Sequence, residues 1–416
     1  MKKYFIFLFL SIFALVGCEN FENKNDVEKE SESEVSTTGL TPETDRTQLW
    51  PAGESSSQLW GFVNKSGNME LRANYDQTFG FSCGWALVLE DKEYKFIDKN
   101  GKTGKVMDVS EMVSAYFYYN LLPFKDGKLY GLYDNMFNVV IPAEYSNLNI
   151  GDNGLIAFCE DGKDKYGYMD KNGKVVIEPE WTYAGGFRDG IAIVATVQKG
   201  SDGSNTYQYG AIDKSGKYLI ELQKNGLFNM GEGRIGFQKS SGKVGMLDKN
   251  GNELGGSYDD GDEFSCGLAR VMKSSDDASK YGFVDKNGNE VISCKYARAS
   301  YFYDDVAFVK KDADSKWEAI DKQGNSLFKL KEDEYVSNAF HNGLALVYSY
   351  DEDYKMTYRY IDKKGETIYK WTPSDDEEDD IAPRFRNDDE FIQRSILSTE
   401  VGALVKSNMK MKELVK

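Results

Sequence analysis

Hydrophobic and polar positions along this chain fall into a short pattern that returns many times. In residues 281–285, Tyr-Gly-Phe-Val-Asp, large residues alternate with small or acidic ones, the period-two mark of a β-strand. Lys286, Asn287 and Gly288 follow. That order suits a type I turn closed by a glycine at positive φ, with Asp285 bonding the backbone two residues on. Residues 289–293, Asn-Glu-Val-Ile-Ser, read as a second strand, and an aromatic elbow follows at Tyr296. Residues 306–311, Val-Ala-Phe-Val-Lys-Lys, read as a third.

That third strand has its own signature: an aromatic, two residues, a glycine, then alternating apolar positions. It stands at Phe187, Phe264 and Phe340, with Ala192, Ala269 and Ala345 on one face. Small residues on one face and bulky ones on the other predict sheets stacked on both sides. Aligned on the aromatic-glycine pair, nine copies begin at Trp60, Tyr94, Tyr130, Tyr166, Tyr209, Val244, Tyr281, Trp317 and Tyr358, a period near 36 residues. A unit of that size cannot bury a core alone. Stacked copies bury one another's faces, so stability comes from neighbour interfaces. The expected fold is all-β: a tandem array of about nine three-stranded antiparallel repeats over residues 59–372, as a propeller-like ring or an open spiral.

The repeated phrase resembles the bacterial WG repeat family, also called KWG repeats. Trp60-Gly61 and Tyr166-Gly167 match its name motif, as does Val-Val-Ile-Pro-Ala-Glu-Tyr at 139–145. Lys95, Glu318 and Arg359 depart from it by replacing the glycine, and residues 134–138, Asp-Asn-Met-Phe-Asn, replace the third copy's turn. The resemblance implies an all-β array used for binding, with no defined reaction.

The ends read differently. Lys2 and Lys3, an apolar run over residues 4–16 and Leu15-Val16-Gly17-Cys18 form a secretory signal and resemble the lipobox of bacterial lipoproteins. That resemblance implies a signal peptide at 1–17, cleavage before Cys18, lipidation of Cys18 and attachment to the cell-envelope membrane. The membrane would be the outer membrane or cell surface in a Gram-negative host. Residues up to 58 are rich in Glu, Asn, Ser and Thr and read as a disordered acidic tether. Residues 373–387 read as an acidic linker. In residues 388–416, Ile392, Ile396, Val401 and Leu404 fit one helical face, which predicts a short C-terminal helix; Val401–Val405 also echoes a strand of a degenerate copy.

A net charge of −17 argues against nucleic acid and against docking on anionic lipid. Cys83, Cys159, Cys266 and Cys294 lack metal-type spacing, and His341 is the one histidine, so no metal site is expected. Buried thiols and a disulfide both remain open for the four. Catalytic motifs are absent, the Asp-Lys-Asn-Gly turns are too short for an EF-hand, and neither a cofactor nor an enzymatic role is expected. His341 reads as a surface turn residue. Aromatics outside the repeat template are the candidate ligand-binding residues: Trp85, Tyr116, Tyr118, Tyr119, Tyr301, Tyr303, Tyr350 and Tyr354. Exposed rigid rings beside acids suit a protein partner, or alternatively a glycan.

Overall fold

The structure, a computed structural model, describes residues 49–55, 57–152, 154–200, 204–275 and 278–373. Cys18, the leader, the tether up to residue 48, the linker from 374 and the C-terminal segment expected to be helical lie outside the described residues. Among the described residues the regular elements are 33 strands in eight antiparallel sheets, each strand bonded to its neighbours in sequence. They form an eight-bladed β-propeller.

Two expectations are corrected. Six of the sheets have four strands, not three. The added strand precedes the Phe-x-x-Gly turn and is as short as two residues, at Gln77–Thr78, Tyr183–Ala184 and Arg298–Ala299, too short to show a period. The nine copies do not make nine separate sheets either. The 12-residue strand Val139–Ile150 ends the third copy's sheet and opens the fourth's, fusing both into one six-stranded sheet. A cluster of Leu121, Leu132, Ile156 and Met169 fills the fold between its halves.

The sequence repeat is out of phase with the sheets. In the seventh copy, Ser279–Asp285 and Glu290–Tyr296 end one sheet, while Ala307–Lys310 lies in the next. Most copies therefore straddle two sheets; the third lies within the fused sheet and the ninth within the last. The first sheet is completed instead by Trp50–Gly53, a fully buried strand that pairs with Trp60–Val63. The fold thus begins upstream of residue 59.

The ring closes by packing of the first sheet on the last. Trp50, Ala52 and Trp60 share a core with Leu344, Tyr358, Tyr360 and Trp371. The Tyr360 hydroxyl donates to the Pro51 carbonyl at 2.7 Å and the Tyr369 hydroxyl to the Gly53 carbonyl at 3.1 Å. Trp50 Nε1 donates to the His341 carbonyl at 3.3 Å. These contacts exclude the open spiral. Elsewhere the alanines of the signature strand are fully buried between sheets, as at Ala192 and Ala269.

The repeated phrase has two mechanical roles. Its aspartate builds the hairpin: Asp285 Oδ1 accepts the N–H groups of Asn287 at 2.8 Å and Asn289 at 2.9 Å, and Gly288 takes φ 78°. Its aromatic-glycine pair accommodates a bulge. Opposite Gly167 the last strand of the sheet inserts two extra residues between Ile177 and Trp181, and a Cβ at Gly167 would lie 2.6 Å from the Ile177 carbonyl oxygen. Gly61 and Gly282 face the same constraint. Where Lys95, Glu318 and Arg359 replace the glycine, the register runs straight past them. Each then gains a charged partner: Glu90, Lys329 and Glu334.

Candidate binding surface

Both ends of the propeller carry hairpins, and they differ in chemistry. At one end, turns with two successive positive φ angles, such as Asp189/Gly190, Glu232/Gly233 and Cys266/Gly267, are type I′ turns. They are tied across blades. Glu232 accepts the Gly267 N–H at 2.9 Å and pairs with Lys286 at 2.7 Å. Asp152 and Asp304 accept the N–H groups of Asp189 and Gly343 in the same way. Lys322, from an Asp-Lys-x-Gly hairpin, reaches Asp305 at 2.7 Å and the Cys266 carbonyl at 3.3 Å. This end is a web of satisfied charges. His341 lies here, exposed, at the close of strand Glu334–His341, as expected of a turn residue. The four described cysteines stand outside any disulfide: Cys159 is buried, and Cys83, Cys266 and Cys294 are partly exposed.

The candidate aromatics separate on burial. Trp85 donates to the Asn135 carbonyl at 2.9 Å and packs edge-on against Phe137. Tyr116 packs against Phe79, and the buried Tyr118 hydroxyl lies 2.9 Å from Ser114 Oγ. Tyr301 is 3% exposed, with the Arg270 guanidinium 4.3 Å from its ring; burial pushes its phenol far above the usual range. Tyr303 meets Tyr301 edge-on. Of these five rings, Tyr118 and Tyr301 are buried, and Trp85, Tyr116 and Tyr303 are half-buried against the neighbours named. Tyr119 is exposed in a type I′ turn.

Tyr350 and Tyr354 are exposed like Tyr119, and the last blade displays them together. Strand Leu344–Tyr350 runs away from the type I′ turn at Asn342/Gly343, so its following hairpin stands at the opposite end of the propeller. Tyr335 pairs with Tyr348 in register and stacks on it at 5.3 Å and 21°. Tyr350 meets Tyr348 edge-on at 5.7 Å and Tyr335 at 6.3 Å. Tyr335 and Tyr350 are exposed; Tyr348 is half-buried, and burial, then Tyr350 and Tyr335, push its phenol up.

Arg359 anchors this ladder. It replaces the motif glycine of the ninth copy and binds buried Glu334 through Nε at 2.8 Å and Nη2 at 2.7 Å. Burial alone would raise the Glu334 carboxyl; the Arg359 bonds and the Lys331 N–H outweigh it and hold it low. Tyr335 follows Glu334 directly and had no signal in the sequence, since its meeting with Tyr348 depends on strand register.

At the hairpin tip, Asp351 Oδ1 accepts the N–H groups of Asp353 at 3.0 Å and Lys355 at 2.9 Å, and Tyr354 sits at φ 61°. That is the glycine position of the turn, as Gly242 shows at φ 84° in the corresponding hairpin. Phe137 also takes positive φ, but its ring is packed against Phe96 and Phe117. Tyr354 is 85% exposed. Strain at a displayed aromatic with no packing to offset it is a pointer to recognition. An apolar void of about 10 Å³ beside Met230, Val244 and Val271 has room for roughly one water, not for a ligand.

Comparison with known proteins adds the family. The fold resembles the crystal structure of a computationally designed protein, Ika8, at 13% identity and TM-score 0.37, covering 68% of this chain and 95% of that one. It also resembles apo AztD from Citrobacter koseri, at 11% identity and TM-score 0.37, covering 79% and 95% of the two chains. Porphyromonas gingivalis dipeptidyl peptidase 4 matches at 9% identity and TM-score 0.45, covering 74% and 60%. At such scores these likenesses carry no argument about this chain. No curated protein sequence matches it significantly. Residues 60–94, 130–163, 166–200 and 281–317 match the family model described as WG containing repeat, so these stretches of the chain are WG-type repeats.

Proposed function

We propose that this protein is a lipid-anchored bacterial envelope protein whose WG-repeat propeller is a non-catalytic scaffold that binds another protein through the tyrosine edge of its last blade. The observation that carries the reading is Tyr354, 85% exposed and held at φ 61° where a turn favours glycine. The family supports a repeat-based binding scaffold. The anchor rests on the lipobox-like Leu15-Val16-Gly17-Cys18. A tether from Cys18 would join at Leu49, beside Trp50 and its bond to His341 at the type I′ end.

The test is site-specific photo-crosslinking in living cells, with the probe at Tyr350 or Tyr354 and a buried control at Tyr301. One protein recovered from both exposed sites and not from the control supports the scaffold. Silence at both exposed sites overturns it. Cys18→Ser tests the anchor: the protein should leave the membrane fraction, and retention there would count against lipidation.

A further inference from the structure

Resting on the scaffold reading, we propose that the tyrosine edge docks a polypeptide segment bearing lysine and arginine. Three consecutive acids, Asp351, Glu352 and Asp353, immediately precede Tyr354, and all four are exposed. Asp351 spends one carboxylate oxygen on the turn. Glu332 and Asp333, also exposed, lead into Tyr335 across the register from Tyr348 and Ser349. Lys355 lies within the hairpin, and Lys316 approaches Glu332 at 4.0 Å, so the acids are only partly offset.

Rings and carboxylates side by side select for cations. A tyrosine face attracts an ammonium or guanidinium through its quadrupole, and carboxylates add hydrogen bonds that a guanidinium fills two at a time. The molecule already makes this pairing internally: Arg270 lies 4.3 Å from the Tyr301 ring while its Nε bonds Asp262 at 2.8 Å. At the last blade the same pair of chemistries faces outward. A neutral ligand would leave the acids unused, and an anionic one would meet repulsion added to the net charge of −17.

Isothermal titration of the full-length mature chain with a synthetic peptide of alternating arginine, lysine and glycine tests this. Tyr354→Gly, Tyr350→Ala and the double variant Glu352→Gln/Asp353→Asn should each weaken binding about tenfold. The charge-matched control Glu93→Gln/Asp161→Asn, on distant hairpins, should leave it unchanged. Equal losses in the control pair and the tyrosine-edge variants would reduce the effect to net charge and overturn the proposal. So would binding of a neutral oligosaccharide that Tyr354→Gly abolishes. Tyr354→Gly relieves the turn, so misfolding does not confound its result. A protein crosslinked in cells at Tyr354 through a segment without lysine or arginine would overturn this inference and leave the scaffold reading standing.

Discussion

Single residues in this molecule answer to two kinds of demand. Gly167 answers to a carbonyl: a Cβ there would sit 2.6 Å from Ile177 O, and the bulge that brings the carbonyl in is backbone. Gly167→Ala should therefore destabilise the protein by roughly 1–3 kcal/mol, read as a lower denaturation midpoint. Lys95→Ala, at the same motif slot without a bulge, should cost less than half of that. Equal costs would show that the bulge is not what demands glycine. Tyr354 answers to display. Tyr354→Gly should raise stability by about 1 kcal/mol, because glycine takes φ 61° without strain, while crosslinking at Tyr350 falls away. A stability loss would mean that the ring packs.

At the scale of elements, the Asp-Lys-x-Gly hairpins share one electrostatic habit. Asp170 is held below the usual carboxylate range by the N–H groups of Lys174 and Asn172, and Asp248 by the Asn252 side chain and N–H. Asp285 is also low, its bonds from Asn289 and Asn287 outweighing partial burial. A carboxyl depressed in the folded state stabilises fully above its unfolded value, near 3.9, and that contribution is lost as pH falls through the folded values. The propeller should lose stability on acidification below about pH 4. Asn64 fills the same role in the first copy, accepting Ser66 N–H at 2.9 Å and Asn68 N–H at 3.0 Å. Asp285→Asn should keep its hairpin at neutral pH and flatten the acid limb of the stability curve. An unchanged slope would contradict this.

The hairpins and the small face of the signature strand were legible because each is a local pattern: Gly288 closes a turn with its own neighbours, and Ala192 alternates with its own strand. The two-residue strands were not legible, since Tyr183–Ala184 is shorter than any period. Nor was the fusion through Val139–Ile150, which depends on a strand continuing past a copy's end. The candidate site was legible only in part. Trp85 and Tyr354 both stand outside the repeat template, and sequence does not show that one packs on Phe137 while the other faces water. Tyr335 needed the register.

The whole molecule depends on one junction. Every other blade pair is joined by a sequence copy that straddles it, whereas among the described residues the first and last sheets meet by packing and side-chain bonds. Tyr360 is fully buried there, and its hydroxyl serves the Pro51 carbonyl. Tyr360→Phe should cost roughly 1–3 kcal/mol by leaving that carbonyl without its donor, measured by denaturant unfolding. A neutral result would show that the bond does not hold the ring.

Closure itself is best measured as a distance. Spin labels carried by unnatural amino acids at Ser66 and Lys364, exposed hairpin positions on the first and last sheets, would report it by pulsed electron resonance. The pair Gln323 and Lys364, on consecutive sheets, is the internal standard. A closed propeller predicts that the two distances agree, each with a narrow distribution. A markedly longer or broad Ser66–Lys364 distance beside a normal Gln323–Lys364 distance would contradict the closed ring.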